Sequence, residues 1–337
     1  MIKDYFKLFF FLFFENKNFY IFFSESIFTY NFLKPYIESR SKKKILIFSF
    51  YEINEKNNKY IKHFYLKNKL CRELFFFFCN CKYFYSTTPD LNFSIFRRSK
   101  NRSIKYIYLQ HSMFSLNAIY NFNSFLNFDA VQCISKNHCE EIKEINILYN
   151  KNIKIFKSKY LFPFKRNKIS QKFDLLIAPT WSTKFFEKKF FEPILKKFNE
   201  NNITFKIRRH IMSIKNQELN KNIINKFNIK FYEDPIINYN EFDYLLSDWS
   251  GIIIEYYLIK KKKSFVINTD QKVRNQKYKL SNIIPTEVML REYFSICYEE
   301  NQIDSIISDI KNKNNLSINE DIISKDFFFG FDLQKYS

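Results

Sequence analysis

Glycine is almost missing: the chain holds two in 337 residues, Gly251 and Gly330. Glycine is the usual residue for tight turns and for close approach of backbone to a ligand, so only two places can use it that way. Cysteine occurs six times, as Cys71, Cys79, Cys81, Cys133, Cys139 and Cys297, but never as a C-x-x-C pair. The His138-Cys139 neighbourhood also lacks the paired spacing of a zinc site. Free, buried thiols in a reducing compartment are the expectation. Long apolar runs are absent too. KLFFFLFF near the N-terminus is broken by ENKN after eight residues, whereas a membrane span needs about 20. No small-residue cleavage site follows it. The expected location is the cytoplasm, with contact at the inner membrane face as the furthest extension.

What is present in excess is aromatic and basic. There are 44 Phe and 23 Tyr, and 55 Lys and Arg stand against 34 Asp and Glu for a formal charge of +21. Phe, Lys, Asn, Ile and Tyr share AT-rich codons, and the basic residues are spread along the whole chain. A solvated basic surface is the plain reading. The charge narrows partners to nucleic acid, an anionic membrane surface or a phosphate-rich substrate without choosing among them.

The length suggests about two domains, and the apolar runs alternate in a way that fits α/β lobes. NFYIFFSE and KKILIFSF read as strands with the helix SIFTYNFLKPYIESR between them, the unit of a parallel sheet. LFFFFCNCKYFYSTTPDL continues the succession, an apolar run closing in a polar turn at Pro89. IKYIYLQHS and FDAVQCIS follow as strands ending in polar residues, and HCEEIKEINILYN has helical spacing. A polar, basic break spans residues 163–172. After it come the strand FDLLIAPTW, the helix FFEPILKKFNEN, the strand ITFKIRRH, the strand in YNEFDYLLSDWS, the helix GIIIEYYLIK and the strand SFVINTD. The expected architecture is α/β, with two Rossmann-like lobes, 1–165 and 166–337, facing a cleft. The C-terminal DFFFGFDLQKYS is where a return to the first lobe is looked for, although none of its residues demands one.

Polar residues gather at the strand ends, where open α/β sheets bind ligands. Ser250-Gly251 stands at a helix start, where backbone N–H groups and the helix dipole suit a phosphate; an ordinary capped turn is the plainer reading. Arg209 and His210 close ITFKIRRH, and arginine forks bind phosphate oxygens in pairs. Thr180 and Ser182 offer hydroxyls just past another strand. His111 ends a strand in the other lobe, a position suited to a general base. The chain has four histidines, and two of them fall at strand ends expected to face one cleft.

These residues carry a resemblance. SDWSGIIIEYYLIKKKKSFVI is similar to the hallmark of the CDP-glycerol glycerophosphotransferase family: an Asp-Tyr-Ser-Ser-type turn, an acidic residue on the next helix, here Glu255, then a strand. APTW resembles the family's Ala-Pro-Thr-Trp-Arg element and IRRH its Arg-x-His-Pro element. TTPDL, RRSK, YIYLQHSMFS and NFDAVQCISKNHCEEI resemble the N-terminal half of related members. The similarity runs in order over most of residues 85–270. It departs where members have His-Gly against His111-Ser112, His-Pro against His210-Ile211, and Tyr-Ser-Ser against Trp249-Ser250-Gly251.

The resemblance implies the two-lobed GT-B fold with the nucleotide donor on the C-terminal lobe. It implies transfer of glycerol phosphate, or a similar polyol phosphate, from a CDP-linked donor to a hydroxyl of a teichoic-acid-like or capsular polymer, with release of CMP. In that reading His111 takes the acceptor's proton. His210, Arg209, Thr180, Ser182, Ser250 and Gly251 attend the diphosphate, and Glu255 accepts from a ribose hydroxyl. No cofactor or metal is expected, because no Asp-x-Asp pair or His/Asp cluster falls at these strand ends. The implied acceptor is a lipid-linked polymer or oligosaccharide. The basic run FRRSKNRSIK and the aromatic N-terminus are then candidates for an anionic membrane surface. A nucleotide-sugar glycosyltransferase of the same fold is the alternative. A basic nucleic-acid-binding protein is the third reading, weakened because no recognition motif appears and the aromatics lie in apolar strand runs.

Overall fold

Seven short strands, mostly aromatic and branched aliphatic residues, build the first sheet: β1 Tyr20–Ser24, β2 Ile45–Ser49, β3 Ile61–Tyr65, β4 Tyr83–Ser86, β5 Lys105–Tyr108, β6 Ala130–Cys133 and β7 Lys154–Lys157. All pairings are parallel and the order is β3-β2-β1-β4-β5-β6-β7, a doubly wound Rossmann arrangement extended by one strand. The computed structural model describes residues 2–12, 19–40, 42–53, 57–93, 96–165, 171–181, 183–314, 316–317 and 327–336. Helices α1 Ile2–Phe10, α2 Ile27–Glu38, α3 Lys69–Phe78, α4 Leu116–Ile119 and α5 Lys136–Leu148 complete the first lobe. The phenylalanines are mainly core. Phe48 stacks on Phe75 at 3.9 Å and Phe22 on Tyr85 at 4.6 Å, and all four are buried. The run LFFFFCNCKYFYS divides into α3 and β4, because a short all-apolar stretch has no period to separate helix from strand. Asn68 caps α3 by accepting from the Cys71 amide at 3.1 Å.

Strand β8, Tyr160–Lys165, leaves the first lobe. The second sheet follows with β9 Phe173–Ile177, β10 Phe205–Ile207, β11 Phe242–Ser247, β12 Ser264–Ile267 and β13 Ser295–Tyr298, parallel throughout in the order β10-β9-β11-β12-β13. Helices α6 Lys188–Glu200, α7 Ile211–Lys215, α8 Lys221–Lys226, α9 Ile252–Lys260, α10 Thr286–Phe294 and α11 Ile303–Lys311 accompany it. The expected α/β class with two Rossmann-like lobes is the observed one. Strand β14, Phe331–Tyr336, pairs in parallel with β8, and just before it the Phe329 amide donates to the Ile134 carbonyl at 2.9 Å. The chain's last described segment therefore lies against the first lobe.

The shortage of glycine is met by asparagine. Asn92, Asn150, Asn202 and Asn228 all adopt positive φ, the last three just past helices, where a left-handed residue closes the final turn. Gly330, at φ +106°, is the glycine whose backbone needs the freedom. The cysteines are all free thiols, five of them buried and Cys297 half-buried. Among the described residues no helix is long and apolar enough to cross a membrane.

Candidate active site

In the second sheet the strand order reverses between β9 and β11, and the crevice beyond that point is where such sheets take ligands. The two strand ends are tied together there. The Thr180 amide donates to Asp248 Oδ1 at 2.7 Å, and the Thr183 hydroxyl to Oδ2 at 2.9 Å. Asp248 is fully buried, and burial raises its pKa against those hydrogen bonds and the charges of Lys272 and Arg291. The aspartate of the DWSG turn is thus a brace across the crevice. Trp249 is pinned beside it: its indole donates to the Thr269 carbonyl at 2.8 Å, and the Arg291 guanidinium lies 3.8 Å from its ring centre.

Two histidines from opposite lobes come within electrostatic reach of each other past these strand ends. His210, just past β10, accepts the Met212 amide on Nδ1 at 3.1 Å as the cap of α7. That bond leaves the ring proton on Nε2, so neutral His210 is a hydrogen-bond donor toward the cleft. Its ring lies 6.0 Å from Trp181, nearly parallel, and 6.5 Å from Phe28 of the first lobe. Burial, then the charges of Lys272, Arg208 and His111, push its pKa down to about 3. His111, three residues beyond β5, keeps an edge toward solvent, yet enclosure by protein lowers its pKa to about 4, opposed by the Thr87 backbone. Its Nε2 is 3.3 Å from the Tyr120 hydroxyl. Tyr120 receives a longer hydrogen bond, 3.4 Å, from Tyr108, which frees its own proton for His111. Both imidazoles are neutral at neutral pH.

The two arginines of IRRH part company, as side chains of an extended segment do. Arg209 lies 3.8 Å over the Phe231 ring and within 3.6 Å of Glu233, away from the histidines. Arg208 donates to the Pro235 carbonyl at 3.0 Å, and its charge acts on both His210 and Glu255. Glu255, on α9, accepts from Tyr239 at 3.4 Å; burial raises its pKa to about 7, with Arg208 and Tyr239 opposing. Two further cations come from the loop after β12, which sequence reasoning passed over. Lys272 Nζ donates to Thr180 Oγ1 at 2.9 Å and stands 4.3 Å over Trp181, and the Arg274 guanidinium stands 4.8 Å over the same ring. The signal was there in QKVRNQK, a basic run directly past a strand end.

Ser250 and Gly251 do precede α9, and no side chain caps that helix. Gly251 has ordinary right-handed angles, φ −59° and ψ −13°. A Cβ there would meet the Ser112 hydroxyl at 3.3 Å and the Phe114 ring at 3.5 Å. The space that glycine frees is filled by the first lobe, on the loop that carries His111. Ser182 lies outside the described residues.

That loop is clamped from both sides. Ser115 donates its amide to Glu287 Oε2 at 3.0 Å and its hydroxyl to Oε1 at 2.9 Å, both across the lobe interface. Glu141 of α5 accepts the Leu116 amide at 2.8 Å from within the same lobe. Burial raises the pKa of Glu141 well above its ordinary 4.5, with Glu287 adding repulsion. A carboxyl raised on folding supplies stability below its unfolded pKa and loses it as the pH climbs through the folded one. Glu141→Gln is therefore expected to gain on the wild type as pH rises from about 5 to 8, by roughly a few degrees in thermal midpoint. A constant difference across that range in melting scans would refute the protonated assignment.

No family model matches the chain, and no curated protein does. Among solved structures it is similar to the wall teichoic acid polymerase TagF, with 13% identity over 73% of this chain and 69% of that one at a TM-score of 0.47. A single-residue variant of that polymerase gives 11% identity over 89% of each chain at 0.48. The lipopolysaccharide outer core galactosyltransferase WaaB gives 9% identity over 89% of this chain and 92% of that one at 0.39.

Proposed function

We propose that the chain transfers a polyol phosphate, glycerol phosphate foremost, from a CDP-linked donor to a hydroxyl of a cell-surface polymer. One observation carries this reading: two neutral imidazoles, one from each lobe, lie within electrostatic reach of each other at the strand ends, with Lys272 and Arg208 also acting on His210. The acceptor oxygen attacks the phosphorus bonded to the polyol, a new P–O bond forms, and the bond from that phosphorus to the bridging oxygen of CMP breaks. His111 takes the acceptor's proton on Nε2, the nitrogen that the Tyr120 hydroxyl now occupies. Its low intrinsic pKa keeps it unprotonated, and the anionic donor raises its basicity once bound. His210 donates from Nε2 to a phosphoryl oxygen, and Arg208 supplies positive charge behind it, the electrostatic positioning that phosphoryl transfer chiefly needs. The Thr180 hydroxyl faces the nucleotide's phosphate beside Lys272, and Glu255 accepts from the ribose. Arg209, held on Phe231 and Glu233, is given no catalytic role.

Purified protein offered CDP-glycerol, CDP-ribitol and a panel of nucleotide sugars is expected to release CMP from a CDP-polyol in the presence of acceptor. Turnover of a nucleotide sugar alone would assign the chain to glycosyl transfer instead.

The acceptor of such a reaction is lipid-linked, and the first lobe has a surface suited to that setting. Helix α1 buries Leu8 and turns Phe6 and Phe9 outward, 72% and 56% exposed, while Phe77 and Phe78 of α3 are also exposed. In FRRSKNRSIK, Arg98 and Lys105 both engage Asp129, at 3.0 and 3.7 Å. Arg97, Lys100 and Arg102 remain exposed for anionic headgroups. The protein is expected to sediment with anionic phospholipid vesicles at low salt. Phe6→Glu with Phe9→Glu should weaken that binding at least about tenfold, since each buried ring contributes roughly 1.5–3 kcal/mol. Unchanged sedimentation of the double variant would remove this surface from the proposal.

A further inference from the structure

Lys272 and Arg274 stand on one aromatic ring, and among the described residues neither takes part in a salt bridge. Their surroundings explain why no local carboxylate serves them. Asp248, whose charge reaches Lys272, has both oxygens committed to the Thr180 amide and the Thr183 hydroxyl. Glu287 of α10 is committed to Ser115. Glu218, from the turn between α7 and α8, acts on Lys272 only through space. On the other side, the pair shares a cavity of about 370 Å³ with Thr183, Lys184, Glu187, Asp270, Gln271 and Val273. Lys184 is neutralised by Glu300, Asp270 acts on Lys184 and is not among the groups that shift Lys272, and Glu187 is 3.2 Å from Lys189. Two like charges acting on each other are unfavourable without an anion, and both residues line the cavity.

We propose that Lys272 and Arg274, with the Thr180 hydroxyl, form a phosphate subsite on the face of Trp181, and that it takes the phosphate remaining with the leaving nucleotide. The assignment rests on the nucleotide-linked donor proposed above. It places the nucleotide along the loop after β12 and leaves the transferred phosphorus between His111 and His210. The subsite is also proton-linked. Lys272 has its pKa pulled down to about 7 by burial and by Arg274, against the opposing charges of Asp248, Glu218 and Glu287. His210 faces it as a neutral ring. An anion seated on the ammonium raises that pKa toward the ordinary lysine value, so binding above pH 7 takes up a proton.

CMP is the probe, because its phosphate titrates near pH 6 and is a fixed dianion above about 7.5. Titration calorimetry of the full chain at pH 8 in two buffers of different ionisation enthalpy is expected to show uptake of close to one proton. Affinity should fall about tenfold per pH unit between 7.5 and 9. Lys272→Arg keeps the charge but cannot titrate, so it should bind CMP at a pH-independent affinity with no proton uptake. Lys272→Met should lose about thirtyfold in CMP affinity while binding cytidine, which has no phosphate, as the wild type does. CMP binding to Lys272→Met at wild-type strength, or binding to the wild type without proton uptake, would overturn the subsite. If CMP binds as described but no CDP-polyol is turned over, the subsite stands and the transfer reaction falls. If CDP-polyol is turned over while CMP affinity is indifferent to residue 272, the transfer reaction stands and the subsite falls.

Discussion

His111→Ala is expected to slow CMP release in the presence of acceptor about a thousandfold, the middle of the range for losing a positioned general base. Geometry comes before electrostatics here. His111 stands beyond the end of β5 on a loop held by Glu141 from its own lobe and Glu287 from the other, so its Nε2 is fixed relative to the second lobe's strand ends. The pH profile distinguishes a base from a structural ring. A histidine at its ordinary pKa would make kcat/KM fall as the pH drops through about 6.5. Here His111 is pushed down to about 4, so a fall set by its own protonation should not appear until that region, and the raised Glu255 accounts for any step near 7. Activity is carried by the neutral form, so it is present above the pKa and lost below it. Tyr120→Phe, which removes the hydroxyl 3.3 Å from Nε2, should cost less than about tenfold, since the acceptor itself fills that place. His111→Ala with near wild-type turnover, or a Tyr120→Phe loss as large as that of His111→Ala, would take the base role away from His111.

The outline of this molecule was legible because period and punctuation agree. The strand runs FYIFF, ILIF, AVQC, FDLLI and FDYLL all became parallel strands, and the polar groups after them lie at one end of each sheet. The less obvious strands were not legible. IKHFY carries a lysine and a histidine in a half-exposed strand at the sheet edge, and LFFFF became helix because nothing in five apolar residues states a period. At the site, sequence order brought His111 and His210 to the cleft, yet it could not say which of Arg208 and Arg209 faces inward. That depends on the pleat at the end of a three-residue strand. Lys272 and Arg274 were hidden among 55 basic residues. Only their convergence on Trp181, from a loop far downstream of it, separates them from solvated surface charge. Composition was the obstacle there, not chemistry.

Gly251→Val is expected to cut transfer by more than about a hundredfold, while Gly251→Ala should come within a few fold of wild type. The difference follows from what the glycine is for. At φ −59° the backbone accepts any residue, and alanine at a helical position even lowers the entropy lost on folding. Its single Cβ would lie 3.3 Å from the Ser112 hydroxyl, a contact that a small rotation of that side chain can relieve. Valine adds two branched carbons on the side where the Phe114 ring already sits at 3.5 Å. Neither Phe114 nor its loop can withdraw cheaply. The Phe114 carbonyl is 2.7 Å from buried His138 Nε2, and Ser115 is fastened to Glu287. Overpacking of this kind costs about 1–3 kcal/mol, and the strain falls on the segment that positions His111. A displacement of about 1 Å in a catalytic group can cost a hundredfold. The loss should appear in kcat, with CMP affinity at Lys272 and Trp181 little changed, because those groups lie on the second lobe. Phe114→Ala introduced into Gly251→Val should restore part of the rate by opening the space. If Gly251→Val instead abolished CMP binding and Phe114→Ala restored nothing, the glycine would belong to the phosphate, not to the seam between the lobes.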